Sequence, residues 1–426
     1  MIYTAAANRY DDMEYRRIGN SGLKVPAVSL GLWHNFGDNS AYDKARSIIL
    51  GAFDMGITHF DLANNYGEPA GSAEKLMGRV LHDDLSAYRD EILITSKAGY
   101  YMWPGPYGEW GSKKSLLASL DQSLQRLNVD YVDIFYHHRP DPDTPLEETA
   151  EALCQAVKSG KALYVGISNY APKDIIRMKE ILSGMGVHLL VSQARYSMLN
   201  RKFENGELDV LKQLGMGAVA FCPLAEGILT SKYLGGIPSD SRAAGKSIFL
   251  NIDTVEHYLP VARALNEIAL ERGQSLSRLA IQWALRDKTM ASLILGASRL
   301  TQLQENIAAL HDRQIETEAR RIVENVKGLG EPDSPEKTHC AVELSPYFVP
   351  LATDKDMERL LSMLPYKSLS LSTLEGRHGV YALIDKSERK KEMKQSPPSV
   401  RAQLQTEKSP KVPKKTAKSK HHELEV

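Results

Sequence analysis

The sequence predicts a (β/α)8 barrel, preceded by a β-hairpin and followed by a largely disordered basic tail. Three observations predict it. Eight apolar runs of strand length recur between residues 26 and 298. Amphipathic segments with helical periodicity lie between them. The runs are apolar on both faces, as the strands of a parallel sheet covered by helices must be. A doubly wound open sheet accommodates the same string, but eight strands over roughly 300 residues fit a closed barrel better.

The hairpin is YRRIGNSGLKV (15–25), with a Gly-Asn-Ser-Gly turn, expected to plug the N-terminal mouth of the barrel. The strands follow as PAVSLGLW (26–33), THFDLA (58–63), EILITSK (91–97), YVDIFYHH (131–138), ALYVGISN (162–169), HLLVSQ (188–193), GAVAFCPL (217–224) and ASLILGAS (291–298). Between and after them run the helical segments 42–56, 72–81, 113–127, 145–160, 172–186, 207–215, 276–285 and 300–310. Punctuation agrees with this reading. Pro145 and Pro172 stand where a first turn begins, and KSGKA and ILSGMG place glycines at helix ends.

Composition narrows the function classes. The 426 residues carry 53 basic and 53 acidic side chains, so the whole chain offers no electrostatic reason to expect a polyanionic partner. No apolar run approaches the roughly 20 residues of a membrane-spanning helix, and the first residues lack the apolar core of a secretory signal. Cys154, Cys222 and Cys340 are scattered and odd in number, making neither a disulfide framework nor a metal site. A cytoplasmic setting is expected. The barrel should occupy 14–328. KGLGEPDSPEK then reads as a linker, opening a weakly structured extension over 329–385, and 386–426 as a basic disordered tail. Lys386 to Lys420 holds twelve Lys or Arg against three Glu, a net +9 rich in Pro and Ser. It lacks the interleaved aromatics of a base-stacking segment, so no nucleic-acid or membrane partner is assigned, and the tail's partner stays open.

Barrels of this kind place their chemistry at the C-terminal ends of the strands. Those ends carry Asp61, Lys97 and the pair His137 and His138, with Tyr66 on the loop just beyond Asp61. An ordinary phenol, with a pKa of about 10, is a poor proton donor at neutral pH. A cation within a few ångströms favours the phenolate and lowers that pKa. Lys97 is therefore expected to tune Tyr66, while Asp61 holds the lysine in place and protonated. A histidine can then hydrogen-bond a carbonyl oxygen and orient it. Each signal is weak alone, since an aspartate at a strand end is more often a cap. Their joint occurrence on consecutive strands is what singles them out.

These residues also carry a resemblance. FDLANNYG (60–67), ITSKAG (94–99), YVDIFYHHRPD (131–141), VGISNY (165–170), and LGAS (295–298) followed by QLQENI (302–307) resemble the aldo-keto reductases, in order and with that family's spacing, over about 14–328. The resemblance implies a (β/α)8 barrel that reduces an aldehyde or ketone with hydride from NADPH. The family's catalytic tetrad falls on Asp61, Tyr66, Lys97 and His138, the last preferred to His137 because it directly precedes Arg139-Pro140. No GxGxxG follows a first strand, so a Rossmann site is not supported. By motif match, Ser168, Asn169 and Gln193 would hold the nicotinamide carboxamide and Phe221 would stack on its ring. Leu224, Gly227 and Lys232 would line the pyrophosphate. Ser298, Arg299 and Gln302 would sit near the 2′-phosphate, with Glu305 and Asn306 at the adenine; Trp33 and Asp61 complete the set. A helix N-terminus and an arginine fork both suit a phosphate, which favours NADPH over NADH. Two departures stand out: Cys222 where serine is usual, and Glu226, a carboxylate beside a pyrophosphate wall that should repel it unless its side chain turns away.

GYYMWPGPYGEWGSKKS (99–115) resembles the corresponding stretch of the bacterial L-glyceraldehyde 3-phosphate reductases, relatives of the voltage-gated potassium channel β-subunits. It implies small aldehydes as substrates, L-glyceraldehyde 3-phosphate or methylglyoxal among them, in a pocket shaped by Trp33, Tyr66, Trp103 and His138. Arg139 or the Lys113-Lys114 pair is a candidate for a substrate phosphate. The resemblance also makes a homo-tetramer or higher assembly plausible. It leaves an alternative: a channel β-subunit-like regulatory protein whose reductase site senses redox state.

Overall fold

The computed structural model describes residues 3–245 and 250–311, together with the backbone of 339–342 and 382–385. The chain divides into two units, Met1–Arg321 and Ile322–Val426. The first holds the barrel. In the second, β11 (His339–Val342) pairs antiparallel with β12 (Ala382–Asp385), His339 opposite Asp385. The rest of the expected extension and tail, 329–385 and 386–426, lies outside the described residues.

The expected hairpin is present: β1 (Tyr15–Arg17) and β2 (Lys24–Pro26) pair antiparallel, Tyr15 opposite Pro26. The eight barrel strands are β3 (Val28–Gly31), β4 (His59–Asp61), β5 (Leu93–Ala98), β6 (Val132–His137), β7 (Ala162–Ser168), β8 (Leu189–Arg195), β9 (Gly217–Phe221) and β10 (Met290–Leu295). They pair in parallel in chain order, and β10 closes against β3. Around them lie α1 (Tyr42–Asp54), α2 (Ser72–Val80), α3 (Lys113–Leu127), α4 (Leu146–Lys158), α5 (Pro172–Gly184), α6 (Glu207–Gln213), α7 (Ile252–Glu271), α8 (Leu276–Ala284) and α9 (Leu300–Ala308).

Local chemistry explains these elements. Helix α3 starts because Ser112 accepts a hydrogen bond from the Ser115 amide at 3.3 Å. It buries Leu116, Leu120, Leu124 and Leu127, a stripe at three- and four-residue spacing. Of helices α1 to α9, α7 is the one that the sequence reading passed over. Its buried residues Val255, Ala262, Leu265 and Ala269 keep helical spacing, but Pro260 sits inside it and masks the pattern. Asn251 caps it, accepting from the Thr254 amide at 2.8 Å.

Side chains that alternate along the strands fill the barrel. Ile134 and Tyr136 of β6, Val191 of β8, Val219 of β9 and Ile294 of β10 form one buried cluster, joined by Ile18 and Val25 of the hairpin. The hairpin therefore does close the N-terminal end. Gly217, first residue of β9, admits it: a side chain there would put its Cβ 2.5 Å from Cγ2 of Ile18. Gly166 does the same for the fully buried Tyr136 ring, with 2.4 Å between a Cβ and Cε1. With the N-terminal end of the interior packed by the hairpin, the strand ends carrying Asp61, Lys97 and His137 lie toward the other mouth.

Candidate active site

Strand register sets the first three groups. Asp61, last residue of β4, is level with Thr95 of β5, and Lys97 is level with Tyr136. Two residues apart on β5, Thr95 and Lys97 face the same way, into the barrel beside Asp61. The Lys97 ammonium donates to Oδ2 of Asp61 at 2.6 Å and to the Leu62 carbonyl at 2.7 Å, and lies 3.5 Å from the Tyr66 hydroxyl. The other carboxylate oxygen, Oδ1, accepts from the Thr95 hydroxyl at 2.9 Å and the Gln193 amide at 3.0 Å. Both oxygens of Asp61 are thus matched to donors in a buried site.

The histidine pair is resolved by alternation. His137, still on β6, points outward, where its Nδ1 meets the Tyr170 hydroxyl at 2.6 Å. His138, one residue on, turns inward, with its ring 5.8 Å from that of Tyr66 and edge-on to Tyr100 at 4.7 Å. Trp33 completes the wall, 6.1 Å from Tyr66 between ring centres. Asp61, Tyr66, Lys97 and His138 are therefore brought together at the C-terminal mouth.

Electrostatics correct one expectation. Tyr66 is not tuned downward. Burial first, and then the Asp61 charge, push its phenol well above the usual range. Burial also lowers the Lys97 ammonium, against the opposing pull of Asp61 and Glu74. The reason is burial together with the Asp61 carboxylate, which lies on the lysine at 2.6 Å; in the resting site these outweigh the ammonium 3.5 Å from the phenol. Tyr66 is thus a firmly protonated donor. Burial, with Lys97, His137 and Arg139 adding to it, holds the His138 imidazole well below its ordinary pKa, hence neutral.

A phenol, an ammonium and a neutral imidazole around one opening can polarise and protonate a carbonyl oxygen. The comparisons agree. The aldo/keto reductase family profile matches residues 27–327. The chain belongs to the aldo/keto reductase family. It is 53% identical over 322 residues to the L-glyceraldehyde 3-phosphate reductase of Escherichia coli K12, covering 74% of this chain and 93% of that one. It is 37% identical over 303 residues to a probable voltage-gated potassium channel subunit beta of Arabidopsis thaliana, covering 70% and 91% respectively. Among solved structures, aldo-keto reductase AKR11C1 from Bacillus halodurans, in its holo form, superposes with a TM-score of 0.59 at 26% identity, covering 74% of this chain and 96% of that chain. The chain is an oxidoreductase.

The reductase places its expected cofactor residues around the same mouth. Ser168, last of β7, is level with Gln193 of β8. Asn169, in a left-handed conformation with φ 62°, donates to Ser168 Oγ at 3.0 Å and to the His138 carbonyl at 3.2 Å. Gln193 also serves Asp61, a link the sequence did not suggest. Phe221 ends β9. Beyond it, Cys222, Ala225, Glu226 and Gly227 all have positive φ, curling the backbone into the kind of concavity in which amides gather on an anion. Leu224 lies within that curl, and Lys232 is exposed beyond it. Glu226, the expected misfit, is ion-paired to Arg195 and its side chain is only 4% exposed. The like charge is neutralised, so the loop fits a pyrophosphate. At α9, the Gln302 side-chain oxygen accepts from the Ser298 and Arg299 amides at 2.9 and 3.2 Å, while the Arg299 side chain is exposed. Asn306 is buried, and exposed Glu305 accepts from Ser277 at 3.4 Å.

The residues expected at the substrate make the following contacts. The aromatic ring against His138 is Tyr100, whereas Trp103 lies farther along its loop, beside Gly108. Arg139 is committed to that loop: its guanidinium stacks on Trp110 at 3.7 Å and Tyr100 at 4.2 Å, donates to the Gly99 carbonyl at 3.1 Å and pairs with Glu109. Lys113 pairs with Glu151 at 3.2 Å, and Lys114 lies over the Tyr107 ring at 5.4 Å. Each of the three cations thus has a partner of its own.

Proposed function

We propose that this reductase converts small aldehydes, L-glyceraldehyde 3-phosphate or methylglyoxal-like, to alcohols with NADPH, Tyr66 serving as general acid. The observation that carries the reading is the grouping of Asp61, Lys97, Tyr66 and His138 at one mouth, in a chain 53% identical to a curated L-glyceraldehyde 3-phosphate reductase. When bound, the nicotinamide cofactor supplies the hydride that reduces the carbonyl carbon. Tyr66 and His138 orient the substrate's carbonyl oxygen, and Tyr66 gives that oxygen its proton. Lys97 steadies the phenolate left behind, and Asp61 holds Lys97. Positioned acids of this kind contribute about 10²–10⁴-fold, and preorganised donors at the oxygen add to it. Cofactor contacts are assigned to Trp33, Asp61, Ser168, Asn169, Gln193, Phe221, Cys222, Leu224, Glu226, Gly227, Lys232, Ser298, Arg299, Gln302, Glu305 and Asn306. Arg299 at the start of α9 favours the 2′-phosphate.

The test is cofactor oxidation by purified protein, with NADPH and NADH compared, against L-glyceraldehyde 3-phosphate, methylglyoxal and aromatic aldehydes. Tyr66→Phe should lower kcat by at least about 10²-fold while NADPH still binds. Unchanged reduction by the variant removes Tyr66 as the acid. A second reading, a channel β-subunit-like regulatory protein, has the 37% relative behind it. Absence of turnover with every aldehyde, together with stable capture of a channel segment, would select it.

A further inference from the structure

Beneath Asp61 the barrel interior holds a file of hydrogen-bonded side chains that apolar packing alone does not need. Thr95 donates to Asp61 at 2.9 Å, and its oxygen lies 3.2 Å from Nε2 of His59. His59 Nδ1 is 2.8 Å from Ser29 Oγ, which is 2.6 Å from Ser292 Oγ, and Ser292 donates to the Pro26 carbonyl at 2.7 Å. Ser29, His59, Thr95 and Ser292 are all fully buried. The file runs from the catalytic carboxylate to the residue that ends the N-terminal hairpin.

Counting protons fixes its direction. Five contacts need five protons, but three hydroxyls and a neutral imidazole supply four. Burial pushes the His59 imidazole down to about 4, with Asp61 opposing and Lys97 assisting, so the ring is neutral at working pH. One contact therefore goes without a proton. The longest, at 3.2 Å between Nε2 and Thr95, tolerates that best, since the serine contacts at 2.6 and 2.7 Å would otherwise press lone pair on lone pair. The imidazole proton thus sits on Nδ1 and starts a run of donors through Ser29 and Ser292 to Pro26. Nε2 is left as an acceptor, competing with Asp61 for the Thr95 proton. Asp61 wins on distance and on charge.

We propose that Thr95 is a positioning residue of the reducing site: its hydroxyl, given to Asp61 in preference to His59, fixes Oδ1 of Asp61 so that Oδ2 stays on the Lys97 ammonium beside Tyr66. This rests on the roles assigned to those residues above. The consequence is a dependence on pH. The charged groups and titratable side chains around Lys97 are Asp61 and His59 from β4, Glu74 from α2, Tyr66 from its loop, and Tyr136 and His138 from β6 and its end. Of these, Asp61 makes the direct contact that keeps the buried ammonium charged. Loosening Asp61 lowers the pH at which Lys97 gives up its proton, and reduction then fails earlier on the alkaline side.

The experiment compares Thr95→Val, which keeps the shape and removes the donor, with Thr95→Ser, which restores it. NADPH oxidation is followed with one aldehyde that the parent reduces, across neutral to alkaline pH, with Tyr66→Phe in parallel. Thr95→Val is expected to lower kcat about tenfold, leave KM within about twofold and move the alkaline limb of kcat to lower pH by about one unit. Thr95→Ser should bring both values back. A valine variant that loses activity equally at every pH, with no shift of the limb, has lost only folded protein, and the proposal fails. Parent-like kinetics in that variant also overturn it. If Tyr66→Phe itself stays active, the assignment of the site is at fault and not the file alone.

Discussion

At the scale of single residues, the site shows how burial and charge compete. Glu207, first residue of α6, is a second instance away from the mouth. Its carboxyl is raised to about 7, chiefly by burial, although Ser192 donates to it at 3.0 Å and Lys202 pulls the other way. In the unfolded chain that group ionises near the ordinary glutamate value of 4.5. Between the two values the folded state binds more protons, so this residue makes stability fall as pH rises. Glu207→Gln should match the parent at acid pH and exceed it near pH 8 by on the order of 2–3 kcal/mol, read by denaturant unfolding across pH. An unchanged difference across that range would show that the carboxyl is hydrated. The tetrad itself was legible because chemistry in a barrel is confined to strand ends, where Asp61 and Lys97 stand out as charges closing apolar runs. The sign of the Tyr66 shift was not, because it depends on a 2.6 Å ion pair that only coordinates reveal. Nor were Thr95 and His59, since isolated polar residues within a buried strand carry no pattern of their own.

At the scale of elements, periodicity and punctuation located all eight strands, the hairpin and every α-helix except α7. That helix escaped because one proline interrupts a stripe that is otherwise regular. Interior fit is the feature no pattern announces. Gly166 reads as an ordinary strand glycine, yet a Cβ there would lie 2.4 Å from the Tyr136 ring and 2.9 Å from Val191. Gly166→Ala should therefore destabilise the barrel by about 1–3 kcal/mol through overpacking, seen as a lower thermal midpoint. An unaltered midpoint would mean the Tyr136 ring has room to retreat. The choice between His137 and His138 belongs to this scale too. Strand alternation and the unanticipated Tyr170 contact give a physical reason for the choice of His138, which the sequence made by motif match alone.

At the scale of the whole molecule, the family match ends at residue 327. The described barrel, up to residue 311, holds every group assigned to the reaction. Removing 329–426 should leave kcat and KM within about twofold of the full chain, measured with the same aldehyde and cofactor. A large loss of kcat would assign part of the pocket to those residues. The composition of that segment, net +9 over its basic stretch, indicated a change of character but carried no signature of a partner.

The hairpin that carries Ile18 and Val25 into the core has a further consequence. It gives the barrel a packed floor at its N-terminal end. Among the described residues, the groups assigned to the reaction gather at the opposite rim. Ligands that enter by that rim, one seated below the other, are expected to bind and leave in a fixed order, which product-inhibition kinetics with cofactor and aldehyde would read.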